Sequence, residues 1–157
     1  MALFLGCGDL GVRCGRSLLE GGWRVAAARR NPGELPQEFE KYAADYTTAG
    51  GLSFIQAAAP DYLIATFVPG GPGIAAYRAG FSSAAANLLQ GLGTHRVRRI
   101  IMVSSTRVYA EQEGGWVDEA SELTRDDPRA LAIIDAENRL MTSPHPATIV
   151  RFAGIYG

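Results

Sequence analysis

The beginning of the chain holds the feature that most restricts its fold. Residues 2–5 form a short apolar run, and residues 6–11 read Gly-Cys-Gly-Asp-Leu-Gly, a G-x-G-x-x-G pattern. Apolar residues then recur at helical spacing over residues 10–18, and two glycines at 21–22 precede the next apolar run. Strand, glycine turn, helix and strand follow one another in the order that a dinucleotide-binding site requires.

The three glycines of this pattern have different physical roles. Gly6 permits a tight turn, Gly8 lets the backbone approach a pyrophosphate, and Gly11 lets the helix pack on the strand. The N–H groups at the start of the helix and the positive end of its dipole would face the phosphates. The alternative is a glycine-rich turn without a ligand, and the flanking strand and helix patterns favour the binding site.

Length and composition indicate one ordinary globular domain. The chain has 157 residues, 47% of them hydrophobic and 20% charged, and its net charge is -1. The arginines are scattered and no apolar run approaches the ~20 residues of a membrane helix, so we expect neither nucleic-acid nor membrane binding. The early residues lack the features of a signal peptide, which predicts a cytoplasmic protein. We interpret Cys7 and Cys14 as packing residues rather than redox groups.

Strand and helix patterns alternate along the rest of the chain. Apolar runs predict the remaining strands at residues 23–28, 42–46, 61–68, 99–104 and 147–153. Helical spacing predicts a short helical turn at 52–58 and helices at 74–92 and 129–141. This alternation predicts an α/β Rossmann-type fold, a doubly wound parallel β-sheet with helices on both faces. Because the chain stops after the sixth strand, we expect a fragment that lacks its substrate-binding part.

Two arginines lie at the place in the predicted fold where NAD-binding and NADP-binding sites differ. An acid at the end of the second strand binds the ribose hydroxyl of NAD, whereas an arginine accommodates the 2′-phosphate of NADP. No acid occurs from residue 24 to residue 31, and Arg29 and Arg30 stand where the choice is made. NADP(H) is therefore favoured over NAD(H), with two solvated turn arginines as the alternative.

A second motif follows the fifth predicted strand. Residues 104–109 read Ser-Ser-Thr-Arg-Val-Tyr, and side chains at the carboxyl end of a parallel strand point into the ligand crevice. Together with the glycine motif, Asp45 at the end of the third strand and Arg-Phe-Ala-Gly-Ile-Tyr-Gly at 151–157, this resembles the first half of an extended short-chain dehydrogenase/reductase of the NAD-dependent epimerase/dehydratase family. The resemblance covers essentially the whole chain.

The resemblance implies a set of binding residues. The pyrophosphate would be lined by Gly6, Gly8, Asp9, Leu10 and Gly11. Asp45 and Tyr46 would lie near the adenine, Val68 and Pro69 beside the nicotinamide ribose, Ser104 at the cofactor, and residues 152–155 at its far side. Ser105 matches the family's Ser or Thr that hydrogen-bonds the reacting oxygen. The resemblance also implies an oxidoreductase or isomerase that acts on a small hydroxyl or carbonyl substrate such as a nucleotide sugar, and a homodimer through residues 74–92 and 129–141.

The chain departs from the family at the proton relay. The family's Tyr-x-x-x-Lys aligns with Arg129 and Ile133, and the only lysine of the chain is Lys41. A subgroup of epimerase-like relatives also lacks the pair. Tyr109 or Asp127 could replace the acid, although packing beneath the loop is expected for Tyr109 and a helix N-terminal role for Asp127. A non-catalytic dinucleotide-binding regulator or redox sensor is therefore the alternative function.

Three further residues have simple interpretations. His95 and His145 are expected in surface loops. Trp116 is expected either to cover the substrate side of the crevice or to anchor a long loop.

Overall fold

A six-stranded β-sheet forms the centre of the molecule. The computed structural model describes residues 1–154, and every neighbouring pair of strands in its sheet is parallel. The strands are β1 (Ala2–Leu5), β2 (Val25–Arg29), β3 (Glu40–Ala43), β4 (Tyr62–Ala65), β5 (Arg99–Ser105) and β6 (Ala147–Phe152). The helices are α1 (Asp9–Glu20), α2 (Ile55–Ala58), α3 (Ile74–Tyr77), α4 (Ala84–Leu92) and α5 (Pro128–Met141). A π-helical segment, Arg78–Ser83, joins α3 to α4.

The strand order confirms the predicted Rossmann-type doubly wound fold. The strands lie in the order β3-β2-β1-β4-β5-β6, which reverses beside β1. Leu5 pairs with Ala28 of β2 on one side and with Ala65 of β4 on the other. The carboxyl ends of β1, β2 and β4 therefore lie at one level, and a crevice opens there.

Two apolar layers cover the two faces of the sheet. All four residues of β1 are buried, which explains why this strand is a continuous apolar run rather than an alternating one. One face carries a core cluster that includes Leu3, Leu63 and Leu88 of α4. The opposite face carries a smaller cluster in which Phe4 packs near Phe39.

Close backbone approach explains one glycine in α4. A Cβ atom built on Gly91 would lie 2.4 Å from the carbonyl oxygen of Leu52. Helix α4 therefore packs directly on the backbone that precedes α2, and any larger side chain would separate the two.

Three strands differ from their predicted boundaries by two residues or more at one end. β2 begins at Val25 rather than at residue 23, β3 covers Glu40–Ala43 rather than 42–46, and β4 ends at Ala65 rather than at residue 68. The end of β3 has a local cause: the backbone N–H and the hydroxyl of Thr47 both donate to the Asp45 carboxylate, at 2.9 and 2.6 Å. This turn takes the chain out of the sheet before the predicted end of the strand.

The helix predicted at 74–92 contains a π-helical interruption. A Cβ atom on Gly80, within the π segment, would lie 2.6 Å from the carbonyl oxygen of Val68. The Ser82 hydroxyl donates to the carbonyl of Ala132 in α5 at 3.2 Å. The segment thus packs between the loop after β4 and α5, a tertiary arrangement that helical spacing does not reveal.

The expected surface position of His145 is wrong. Its side chain is only 5% exposed, because the hydrogen bond from the Ile100 N–H to the Pro146 carbonyl holds the segment against β5. His95 is partly buried, with its Nε2 atom 2.7 Å from the Pro60 carbonyl oxygen. Trp116 is fully exposed, so packing of its ring does not anchor the loop.

The helices described between residues 1 and 154 include none that is long and apolar enough to cross a membrane.

We predict that Gly91→Ala destabilises the domain. The added methyl group would meet the Leu52 backbone, which cannot rotate away, so we expect a loss of about 1–3 kcal/mol in the free energy of unfolding. Urea denaturation measures this loss. Gly33→Ala is the matched control, because a Cβ atom there meets nothing within 4 Å. Equal stability of the two variants would contradict the packing described for α4.

We predict that His145 makes the stability of the fold depend on pH. Burial lowers the pKa of His145, and its Nδ1 atom has no hydrogen-bond partner among the described residues. The unfolded chain, with a histidine pKa of about 6.5, therefore binds the proton more readily than the folded chain. The stability that the neutral ring provides is complete above that pH and is lost as the pH falls toward the lower folded pKa.

Chemical denaturation at a series of pH values tests this prediction. Between about pH 7 and pH 5, the free energy of unfolding of His145→Leu should fall less steeply than that of the wild type. Parallel curves would show that His145 does not contribute.

Candidate functional site

The glycine motif lies at the carboxyl end of β1, where the crevice opens. Gly6 has a φ of +92°, and a Cβ atom there would lie 2.6 Å from the carbonyl oxygen of Thr66. A Cβ atom on Gly11 would lie 3.1 Å from the sulfur of Cys7, within the contact between α1 and the sheet. A Cβ atom on Gly8 would meet nothing within 4 Å, so this glycine borders open space. The three positions have the geometry of a tight turn, a helix contact and a ligand approach.

The N-terminus of α1 follows this turn. Gly8 is the N-cap residue, and the helix has no side-chain cap. Asp9 pairs with Arg13 at 2.9 Å, and Leu10 is exposed in the first turn. Because the first N–H groups of a helix have no partner within it, they remain free to bind an anion. The arrangement fits the pyrophosphate of a dinucleotide.

Cys7 belongs to the packing of the motif. The side chain is buried, and burial raises the pKa of its thiol to about 11, although the nearby charge of Arg29 opposes this shift. The thiol is therefore protonated at neutral pH and poorly suited to redox chemistry. Cys14 is exposed, unlike the packing residue that we expected.

A cavity of about 670 Å³ lies beside the glycine motif, between the ends of β2, β3 and β4. Seven of the binding residues that the sequence predicts line this cavity, and its size suits part of a dinucleotide. The lining residues are Gly6, Arg29, Arg30, Asn31, Ala44, Asp45, Tyr46, Thr47, Val68, Pro69, Gly70, Ala76 and Ala79.

Asp45 and Tyr46 form the β3 side of the cavity. The hydroxyl of Thr47 donates to the Asp45 carboxylate and holds its pKa below the ordinary value. The Tyr46 hydroxyl donates to the Val68 carbonyl and accepts from the Val68 N–H, both at 3.2 Å. Burial raises the pKa of Tyr46, so the phenol stays protonated. Tyr46 thereby connects the β3 and β4 walls.

Arg29 has a partner that the sequence reasoning missed. Its Nη2 atom lies 2.7 Å from an Oε2 atom of Glu34, in the 3₁₀ turn Pro32–Glu34 that follows β2. The acid was overlooked because it stands beyond residue 31, and the turn brings it back. The sequence does hold a signal for this pair. Arg29 ends a strand, Glu34 follows five residues later, and the Pro-Gly between them predicts a turn that brings the two charges together.

Ser105 lies at the end of β5 and is partly buried. Its Oγ atom accepts from the Arg107 N–H at 3.2 Å, and Arg107 forms an ion pair with Asp127 at 2.8 Å. Asp127 caps α5 by accepting from the Arg129 N–H at 2.9 Å. Although partial burial opposes it, hydrogen bonds from Arg129 and Arg107 lower the pKa of Asp127. Asp127 is thus an ionised helix cap.

Ser104 and Tyr109 belong to a buried polar network on the α5 side of the sheet. The Ser104 hydroxyl donates to Glu137, and Glu137 accepts two hydrogen bonds from Arg151, at 3.2 and 2.7 Å. The Arg151 guanidinium also lies 5.0 Å from the centre of the Tyr109 ring. The pairing with Glu137 raises the pKa of Arg151 above its ordinary value. The binding role of Ser104 and the catalytic role of Tyr109 stay predictions.

The positions that align with the missing relay have other surroundings. Ile133 is 2% exposed within the main core, and the Arg129 guanidinium lies 5.7 Å from the centre of the Tyr77 ring. Lys41 lies in β3 and donates to the Leu35 carbonyl at 2.8 Å. Within residues 1–154, no lysine therefore stands beside Ser105. Phe152, expected at the far side of the cofactor, is partly exposed, whereas Ile155 lies outside the described residues.

Several solved structures share this fold. A protein from Methylobacillus flagellatus, assigned as an NAD-dependent epimerase/dehydratase, is 29% identical with a TM-score of 0.81, and the match covers 99% of this chain and 55% of that chain. UDP-glucuronic acid 4-epimerase from Bacillus cereus, solved with NAD, is 18% identical with a TM-score of 0.80, and the match covers 100% of this chain and 58% of that chain.

A third structure extends the comparison. The Bordetella bronchiseptica enzyme WbmG, solved with NAD and UDP, is 17% identical with a TM-score of 0.81, and the match covers 96% of this chain and 52% of that chain. The chain thus spans little more than half the length of these structures.

Comparison with curated proteins gives no match. A family model described as NAD(P)H-binding matches residues 6–156, which include the glycine motif and the cavity beside it. The chain belongs to this NAD(P)H-binding family.

Proposed function

We propose that this domain binds NADP(H) in preference to NAD(H), with the pyrophosphate at the N-terminus of α1 and the adenosine in the cavity beside it. The observation that carries the preference is the presence of both Arg29 and Arg30 in the cavity wall at the end of β2. A guanidinium group offers a planar fork of donors to a phosphate. On the opposite wall the hydrogen bond from Thr47 is the main cause of the lowered pKa of Asp45, and the charge of Arg30 acts in the same direction.

The fold and the position of Ser105 support a proposal for the chemical role. We propose an oxidoreductase or isomerase that acts on a hydroxyl or carbonyl group of a small molecule. A nucleotide sugar is the favoured substrate class, because proteins of the same fold were solved with UDP or are named for a UDP-sugar. The bound nicotinamide would supply hydride transfer. Ser105 would hold the substrate oxygen by a hydrogen bond, and the Arg107 N–H would orient its hydroxyl.

The proposal extends to assembly and location. Ile74 of α3 and Leu131 of α5 are exposed apolar residues on the two helices expected to pair, which supports a homodimer. Two free cysteines suit the reducing conditions of the cytoplasm.

A second candidate function is a dinucleotide-binding regulator or redox sensor without turnover. The observation that favours it is the burial of Ile133, since a lysine at this place would have to bury its charge in an apolar core. The two candidates share the cofactor site and differ in whether Ser105 acts on a substrate.

We predict that Arg30→Ala selectively weakens binding of NADPH. Loss of a charge-assisted hydrogen bond to the 2′-phosphate should reduce NADPH affinity by roughly tenfold or more, while NADH affinity changes less than about twofold. Isothermal titration calorimetry of both nucleotides measures this, and Arg29→Ala should act in the same direction. Arg125→Ala is the control, because Arg125 pairs with Glu122 in the loop after β5 and is not among the residues that line the cavity. An equal loss for both nucleotides would contradict the NADP(H) preference.

We predict that Ser105→Ala abolishes turnover and leaves the cofactor site intact. In the full-length protein, turnover of a nucleotide sugar followed by product chromatography should fall by roughly a hundredfold or more, because the substrate oxygen loses its hydrogen bond in the transition state. Dinucleotide affinity should stay within about twofold, as it should for Ser17→Ala, an exposed serine on α1. Unchanged turnover in Ser105→Ala would remove this residue from the mechanism and favour the regulator.

A further inference from the structure

The acid that faces Arg29 stands on a well-anchored turn. Glu34 ends the 3₁₀ turn Pro32–Glu34, and the next residue, Leu35, is buried in the smaller core cluster. The Leu35 N–H donates to the Pro32 carbonyl at 3.1 Å, and the Lys41 ammonium donates to the Leu35 carbonyl at 2.8 Å. The Glu34 carboxylate is therefore presented to Arg29 by a fixed backbone rather than by a flexible loop.

Arg29 is held in turn by the sheet. It is the last residue of β2, and its carbonyl accepts from the Ala44 N–H at 3.2 Å. Its side chain is 31% exposed and lines the cavity, whereas the Glu34 side chain is 65% exposed and lies outside the cavity wall. Arg29 thus contributes to the cavity wall while its guanidinium pairs with a carboxylate that is not part of that wall.

We propose that Glu34 sets the discrimination between NADP(H) and NAD(H) by opposing the 2′-phosphate at Arg29. This inference rests on the proposed function, because it concerns how tightly the same cavity binds the 2′-phosphate. The carboxylate takes the Nη2 donor of Arg29 and places a negative charge beside the position where the phosphate would bind. NADH carries no charge at that position, so Glu34 reduces the affinity for NADPH and leaves that for NADH nearly unchanged.

The size of the effect follows from screening. Arg29 and Glu34 are both partly exposed, so water weakens the repulsion between the carboxylate and the phosphate. Neutralising Glu34 should therefore strengthen NADPH binding by about fivefold at low salt, and the gain should shrink as the salt concentration rises.

The chain offers a matched control. Glu38 is an exposed acid four residues further along the same loop, and within residues 1–154 it forms no ion pair. Glu38→Gln removes the same charge from the same region without removing the partner of Arg29. Both substitutions are at exposed positions and conserve side-chain shape.

The experiment compares calorimetric affinities for NADPH and NADH in the wild type, Glu34→Gln, Glu38→Gln, Arg29→Ala and the double variant Arg29→Ala with Glu34→Gln. We expect Glu34→Gln to raise the ratio of NADPH to NADH affinity by about fivefold and Glu38→Gln to leave it within about twofold. Adding Glu34→Gln to Arg29→Ala should produce a smaller gain, because the guanidinium through which Glu34 acts is gone.

The outcomes separate this inference from the proposed function. A lower or unchanged ratio in Glu34→Gln, with both nucleotides still bound, overturns the role of Glu34 alone. Equal changes in NADPH and NADH affinity would indicate a structural role of Glu34 and would also overturn it. Failure of the wild type to bind either nucleotide would overturn the proposed function and this inference together.

Discussion

The close contact between backbones at the end of β1 is the constraint on which the rest of the structure depends. Gly6 donates its N–H to the Ala28 carbonyl of β2, while the Thr66 N–H and hydroxyl both donate to the Leu5 carbonyl, at 2.9 and 3.0 Å. The positive φ of Gly6 turns the chain within this narrow space, where a Cβ atom would collide with Thr66. β1 can therefore pair with a strand on each side while the chain turns at its end and continues into α1. The turn lies where the strand order reverses, and the crevice opens at this point.

The charges of the cavity are arranged in layers around this crevice. Arg29 and Arg30 bring positive charge to the end of β2, and the free N–H groups of α1 add a partial positive charge nearby. Glu34 stands behind Arg29, and Asp45 is held by Thr47 on the facing wall. The positive groups and Asp45 thus border the cavity, and both acids are engaged by neighbouring donors. Such an arrangement suits a ligand with several phosphates more than a neutral one.

On the β5 side of the crevice, the residues at the positions aligned with the proton relay take part in packing. Ile133 extends the apolar core beneath α5, and Arg129 lies against the Tyr77 ring. Glu137 is buried, but Arg151 and Ser104 satisfy its oxygens, so its burial is compensated. Ser105 lies at the end of β5, where its hydroxyl accepts from the Arg107 N–H. The family fold is thereby retained while the customary acid–base pair is absent from the aligned positions.

The sequence alone determined the features that depend on residues close to one another along the chain. The apolar run of β1, the glycine motif and the alternation of strands with helices were sufficient for the fold class, because the burial of a parallel strand and the tightness of a turn depend on neighbouring residues. Arg29 and Arg30 were predicted from their place at the end of the second strand, and four further residues were predicted from the family resemblance. All six line one cavity: Arg29, Arg30, Asp45, Tyr46, Val68 and Pro69.

Only the tertiary structure decided the features that depend on residues distant along the chain or brought together by a turn. The pairing of Arg29 with Glu34, the burial of His145, the π-helical segment against Val68 and the engagement of Ser104 by Glu137 all have this origin. A hydrophobic or charged pattern identifies a side chain that needs a partner, but the packing of the sheet and its helices selects which partner it meets.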